Sequence, residues 1–135
     1  ERSGPERFLS CAVLFTELLK VLEQSGDQSA KREVGTILGN LVTLRSMSLS
    51  VSAKLAQGHD VSLQAVIVKD LGAEFEQTLP GIVQKIVAIE PNLSDDAEPL
   101  AQVLALLTML APSFSLRGGT VEILRGIIAK RLGVS

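Results

Sequence analysis

The chain has 135 residues, of which 46% are apolar and only 3% aromatic, and its 13 basic against 15 acidic side chains leave a net charge of −2. Such apolar content fills the core of one domain and excludes disorder, while the near-balance of charge argues against nucleic acid, which needs a basic face. A single cysteine excludes an intramolecular disulfide framework and any multi-cysteine zinc site.

The hydrophobic period is helical almost throughout. Ser3-Gly4-Pro5-Glu6 reads as a helix start, with Ser3 as cap and Glu6 three residues on. Phe8, Cys11, Ala12, Phe15, Leu18, Leu19 and Leu22 then form one apolar face of about five turns. Gln24-Ser25-Gly26-Asp27 breaks it. The second helix is expected from near Ser29 to Gln57-Gly58, with a stripe of Val34, Ile37, Leu38, Leu41, Leu44, Ser48, Val51 and Leu55. Its interleaved glycines and serines suit a close helix contact.

Asp60 is the expected N-cap of the third helix, whose stripe runs from Val61 through Val68, Gly72, Phe75, Leu79 and Val83 to Ile86. Pro80-Gly81 inside this pattern predicts a kink or a split, because proline removes a backbone hydrogen bond. Ser94-Asp95-Asp96 predicts the start of a fourth helix, carrying Leu100, Val103, Leu104, Leu107 and Leu110 and stopping before Pro112. Thr120 caps a fifth helix with Ile123, Leu124, Ile127 and Ile128, closed by Gly133. The expected fold is all-α: an up-and-down four-helix bundle with an additional C-terminal helix, in one domain spanning residues 1–135.

The local chemistry is sparse. His59 reads as a solvated loop histidine, and Cys11, on an apolar face, as a buried and inert thiol. Asp95, Asp96 and Glu98 read as helix-start acids rather than metal ligands. No apolar run such as Val103–Ala111 approaches the roughly 20 residues that span a bilayer, and no signal segment is evident. The expectation is a cytoplasmic protein with no membrane partner. Gly118-Gly119-Thr120 is the most informative local feature, since free N–H groups at a helix start suit a phosphate or carboxylate; an ordinary glycine turn is the plainer alternative.

The wider segment from Phe114 to Gly133, with Gly118-Gly119-Thr120-Val121-Glu122-Ile123-Leu124-Arg125-Gly126-Ile127-Ile128-Ala129 at its centre, closely resembles the C-terminal helix of acyl-CoA dehydrogenases. The run Glu1-Arg2-Ser3-Gly4-Pro5-Glu6-Arg7-Phe8-Leu9-Ser10 resembles the lead-in to the first helix of that family's C-terminal domain in bacterial members. The resemblance implies a C-terminal fragment of a longer FAD-dependent enzyme. That enzyme would convert an acyl-CoA thioester to the 2-enoyl-CoA, in a dimer or tetramer, and pass its electrons to a flavoprotein acceptor.

Residue by residue, the resemblance implies the following. The base immediately before the family's final Gly-Thr is Gly118 here, which has no side chain. Glu1, in a Glu1-Arg2 pair, matches the other base position, with Glu6-Arg7 as the alternative register. Thr120 and Gly119 match flavin contacts, Arg117 could supply a cation, and Glu122 stands where the family often has Gln. Two segments depart. The stretch Glu23–Arg32 lacks the family's Arg-x-x-Phe-Gly, and Ala88–Asp96 replaces its Gly-Gly-x-Gly. Both departures remove FAD contacts. They open an alternative, a non-flavin structural subunit of a mixed acyl-CoA dehydrogenase complex. A helical module, unrelated to the family, that binds a partner helix is the third reading.

Overall fold

A computed structural model describes residues 9–25, 27–117 and 119–134. Its five helices are α1 (Ala12–Glu23), α2 (Gln28–Ala56), α3 (Ser62–Val87), α4 (Pro99–Phe114) and α5 (Val121–Arg131), and there is no strand among the described residues. The all-α expectation holds. α3 is the centre of the fold, packing against α2, α4 and α5, while α1 packs on α4. Leu14 and Leu18 of α1, Val68, Leu79 and Val83 of α3, and Leu100 and Leu104 of α4 form the driest part of the core. Each such side chain contributes roughly 1.5–3 kcal/mol by burial.

Several predicted boundaries move, each for a local reason. The capping box at Ser3–Glu6 lies outside the described residues; a 3₁₀ turn over residues 9–11 leads into α1, which is shorter than the five turns expected. α2 begins one residue before Ser29, because Asp27 caps it by accepting from the N–H groups of Ser29 and Ala30. Val61, not Asp60, is the N-cap of α3, and the Asp60 carboxylate accepts from the Ser62 N–H just inside the helix.

α4 starts at Pro99 rather than at Ser94. A residue before proline avoids the helical region, and Glu98 accordingly has ψ 141°, while proline itself is favoured in the first turn. Ser94–Asp96 instead forms a turn, with the Ser94 hydroxyl donating to Asp96 and Gln102 Nε2 donating to the Ser94 carbonyl at 2.9 Å. α4 also runs through Pro112 to Phe114. Proline removes only one N–H there, and burying Phe114 offsets that loss.

Pro80 likewise leaves α3 unsplit over 26 residues. Positive φ at Gly58 (80°) and Gly133 (74°) supports the two glycine stops read from the sequence.

α2 qualifies the expectation about membranes. With 29 residues it is long and apolar enough to cross one by length and composition alone, although Asn40, Arg45 and a series of Ser and Thr interrupt it. In the fold it lies on α3 through Ile37, Leu44, Ser48 and Val51, leaving Leu38, Val42, Leu49 and Leu55 exposed. Ser48 of α2 and Gly72 of α3 are both buried.

Candidate functional site

A proline in a helix leaves the carbonyl four residues earlier without its N–H donor. For Pro80 that carbonyl belongs to Glu76. The Cys11 thiol supplies a donor in its place, with Sγ 3.6 Å from the Glu76 carbonyl oxygen. The Glu76 side chain reaches the same neighbour: its Oε1 accepts from the Ser10 N–H at 3.0 Å. One residue of α3 therefore holds the start of α1 through both its backbone and its carboxylate.

Arg117 completes this cluster from the turn after α4. Its Nη1 donates to the Ser10 hydroxyl at 2.7 Å and lies 3.8 Å from Glu76 Oε2. Its guanidinium also stacks over the Phe114 ring, 4.3 Å from the centroid. The Glu76 side chain is 3% exposed and that of Arg117 30%, so the carboxylate sits beneath and the cation caps it. Burial pushes the Glu76 carboxyl above the usual glutamate range, against the lowering by Ser10 and Arg117. Burial, with Glu76 beside it, drives the Cys11 thiol to about 12. The reading of Cys11 as buried stands.

A second cluster lies at the start of α5. The Thr120 side chain caps the helix by accepting from the Ile123 N–H. Gly119 has φ 127°, a conformation glycine adopts freely, and a Cβ there would meet Leu124 Cδ2 at 3.5 Å. Glu122 in the first turn is held below the usual glutamate range, chiefly by the Thr120 hydroxyl and then by its own N–H. Arg125 one turn on binds α3, with Nε 3.2 Å from Asp70 Oδ2 and Nη2 3.1 Å from Glu74 Oε2. A cleft of about 380 Å³ opens here, lined by Glu74, Gln77, Ser115, Val121, Glu122 and Arg125.

The N–H groups at the start of a helix such as α5 suit an anionic group. Glu122 opposes it, because its carboxylate already satisfies donors at that helix end.

Of the residues singled out in the sequence, Glu1 and its alternative Glu6 lie outside the described residues, as does Gly118. Gly119, Thr120 and Glu122 share the start of α5, and Arg117 stands one turn upstream, turned toward Ser10 and Glu76. His59 is exposed in the turn before α3, as expected. Asp95, Asp96 and Glu98 are exposed, and the described residues hold no metal-binding cluster of His, Cys, Asp and Glu. Glu76, Asp70 and Arg125 went unremarked in the sequence. Glu76 had a signal: it lies on the stripe through Gly72, Leu79 and Val83, four residues before a proline.

No protein-family model matches the chain, and no curated protein matches it.

Proposed function

We propose that this chain is the C-terminal helical domain of an acyl-CoA dehydrogenase-like protein, and that it forms one wall of a flavin site and part of an oligomer core. The observation that carries the reading is the meeting of the two segments on which the resemblance rests. Ser10, at the end of one, receives a hydrogen bond from Arg117, in the other, across 107 positions of sequence. In this reading a base on the first segment and a cofactor contact at the start of α5 would serve one site. Glu1 is the proposed base for the α-proton of the acyl-CoA, with Glu6 the alternative. FAD, when bound, takes up the β-hydride. Gly119 and Thr120 would hold the cofactor's anionic part, with Arg117 lending positive charge nearby. An electron-accepting flavoprotein would reoxidise the parent enzyme.

The oligomer part of the reading is supported by apolar faces left without a partner. Leu106, Met109 and Leu110 on α4 and Ile123 and Ile127 on α5 are exposed. Such surface is what a further domain or subunit covers.

The second reading, a structural subunit without flavin, is favoured by Glu122 at the α5 start and by the two departing segments. Visible absorption of the intact protein, purified alone, separates the two. Bound oxidised flavin that bleaches with acyl-CoA supports the dehydrogenase, and Glu1→Gln should then abolish bleaching. A colourless protein that takes up no added FAD supports the structural subunit.

A further inference from the structure

We infer that Glu76 is a positioning residue that fixes the start of α1 and the turn before α5 against one point of α3. Three contacts converge on it from two distant parts of the chain. The Ser10 N–H meets its carboxylate, the Cys11 thiol meets its carbonyl, and Arg117 approaches the second carboxylate oxygen while bonding Ser10. The acceptors differ in kind, so the three partners do not compete for one oxygen. The carbonyl is available because Pro80 has no N–H to occupy it.

Arg117 and Ser10 also bond each other directly, and Glu76 gives the pair a common anchor on α3. A carboxylate at this depth is an expensive choice for structure alone, since an apolar residue would fill the core without desolvating a charge. Its use is geometric: a buried acceptor with two oxygens aims two segments at once. The catalytic meaning of this aim rests on the dehydrogenase reading, in which those segments carry the base and the cofactor contact. The clasp itself does not depend on that reading.

The test uses the intact protein and three versions of it: wild type, Glu76→Ala and Glu76→Gln. Backbone hydrogen exchange is followed over residues 9–14 and 114–121, with residues 101–107 of α4 as the internal reference. Glu76→Ala should speed exchange in both outer segments by about tenfold or more while the α4 reference holds. Glu76→Gln keeps an oxygen for the Ser10 N–H and should restore protection of residues 9–14, leaving 114–121 faster. Unchanged exchange in both outer segments, or a uniform rise that includes the reference, overturns the inference.

If the wild type binds flavin, Glu76→Ala should also lower kcat with little change in KM, and Glu76→Gln should recover part of the loss. An equal loss in both variants, with both segments still protected, counts against positioning. A wild type without flavin sinks the dehydrogenase reading and leaves the exchange experiment to decide the clasp.

Discussion

The Cys11 thiol occupies the carbonyl of Glu76 that Pro80 leaves without a helical donor. The two residues are 65 positions apart, and the contact is buried. A thiol is a weak donor, but an unpartnered buried carbonyl is costly, so even a weak partner stabilises the fold. The relationship predicts energetic coupling between Cys11 and Pro80. Cys11→Ala should destabilise the protein by about 1–2 kcal/mol. In a Pro80→Ala background residue 80 regains an N–H, and the same change should cost less, by roughly 0.5 kcal/mol or more. Chemical denaturation of the four proteins in the cycle measures this. Additive changes would show that the thiol is only filling space.

The same cysteine should resist chemical modification. Its thiol sits at about 12, driven there first by burial and then by the charge of Glu76. Almost no thiolate exists at pH 8, and thiolate is the reactive form. Iodoacetamide labelling at pH 8 should therefore be slow in the folded protein and fast in denaturant. Rapid labelling of the folded protein would mean that the α1 start opens readily.

Glu76 predicts a pH dependence of stability with a definite sign. Burial raises its carboxyl above the ordinary value of 4.5, so the folded protein binds this proton more tightly than the unfolded chain does. The stabilisation is complete below that unfolded value and is lost as pH rises through the raised folded value. Glu76→Gln removes the titration while keeping an acceptor. Its melting temperature relative to wild type should therefore climb as pH is raised from below 4.5 toward neutrality in thermal scans. A difference that stays flat, or falls, contradicts the burial argument.

Arg125 is the ion-pair partner that joins α5 to α3, and its two carboxylates differ. The Asp70 side chain is 11% exposed and that of Glu74 59%, and the buried Asp70 Oδ1 has no partner. Arg125→Ala leaves the Asp70 charge buried and unpaired and should cost about 2–3 kcal/mol. Glu74→Gln should change stability by less than about 0.5 kcal/mol, as exposed pairs contribute little. Urea titrations of both variants test the contrast. Equal effects would show that burial of Asp70 is not what matters.

At the α5 start, Thr120→Ala should cost about 1 kcal/mol through loss of the cap, and Thr120→Ser should recover most of it. Glu122→Gln separates stability from binding. It removes an acid favoured by the helix dipole, which should lower stability slightly, and should tighten binding of any anionic cofactor at that helix end. Thermal unfolding and titration with FAD read the two effects. Loss of FAD affinity in Glu122→Gln would place the anionic group elsewhere.

Helix identity and most core positions were legible in the sequence because burial repeats with the helical period. Leu18, Leu79, Val83, Leu100 and Leu104 fall where the stripes put them, whereas Leu14, wholly buried on α1, lies off its stripe and Ala12 and Leu19, which lie on it, are exposed. The stripe is less informative where a helix has few neighbours. Leu38 and Leu55 of α2 and Ile123 of α5 belong to their stripes by spacing but are exposed, since a sequence period does not tell which helix faces which. Pro112 is expected to stop α4 and does not, and Pro80 does not split α3; each removes one donor, and tertiary contacts outweigh that loss, whereas Pro99 governs the start of α4.

The site was legible in its parts and not in its assembly. Thr120 as a cap follows from the residues around it. The union of Ser10, Glu76 and Arg117 depends on tertiary placement of α1 and of the turn after α4, which local spacing does not encode. Glu76 looked like one more acid on a long helix until its depth was known.

Pro80 also bears on how the helices choose their alignment. Along a regular helix every turn offers the same saturated backbone, so an apolar neighbour can slide by one turn, about 5.4 Å, and still bury a similar surface. α3 is not uniform in this way. At residue 76 its backbone is unsaturated, and the chain beginning α1 carries the donor that matches it. A slide of α1 by one turn would strand both the thiol and the carbonyl. A local defect in one helix thus favours one placement of the chain that enters another, at the carbonyl four residues before Pro80.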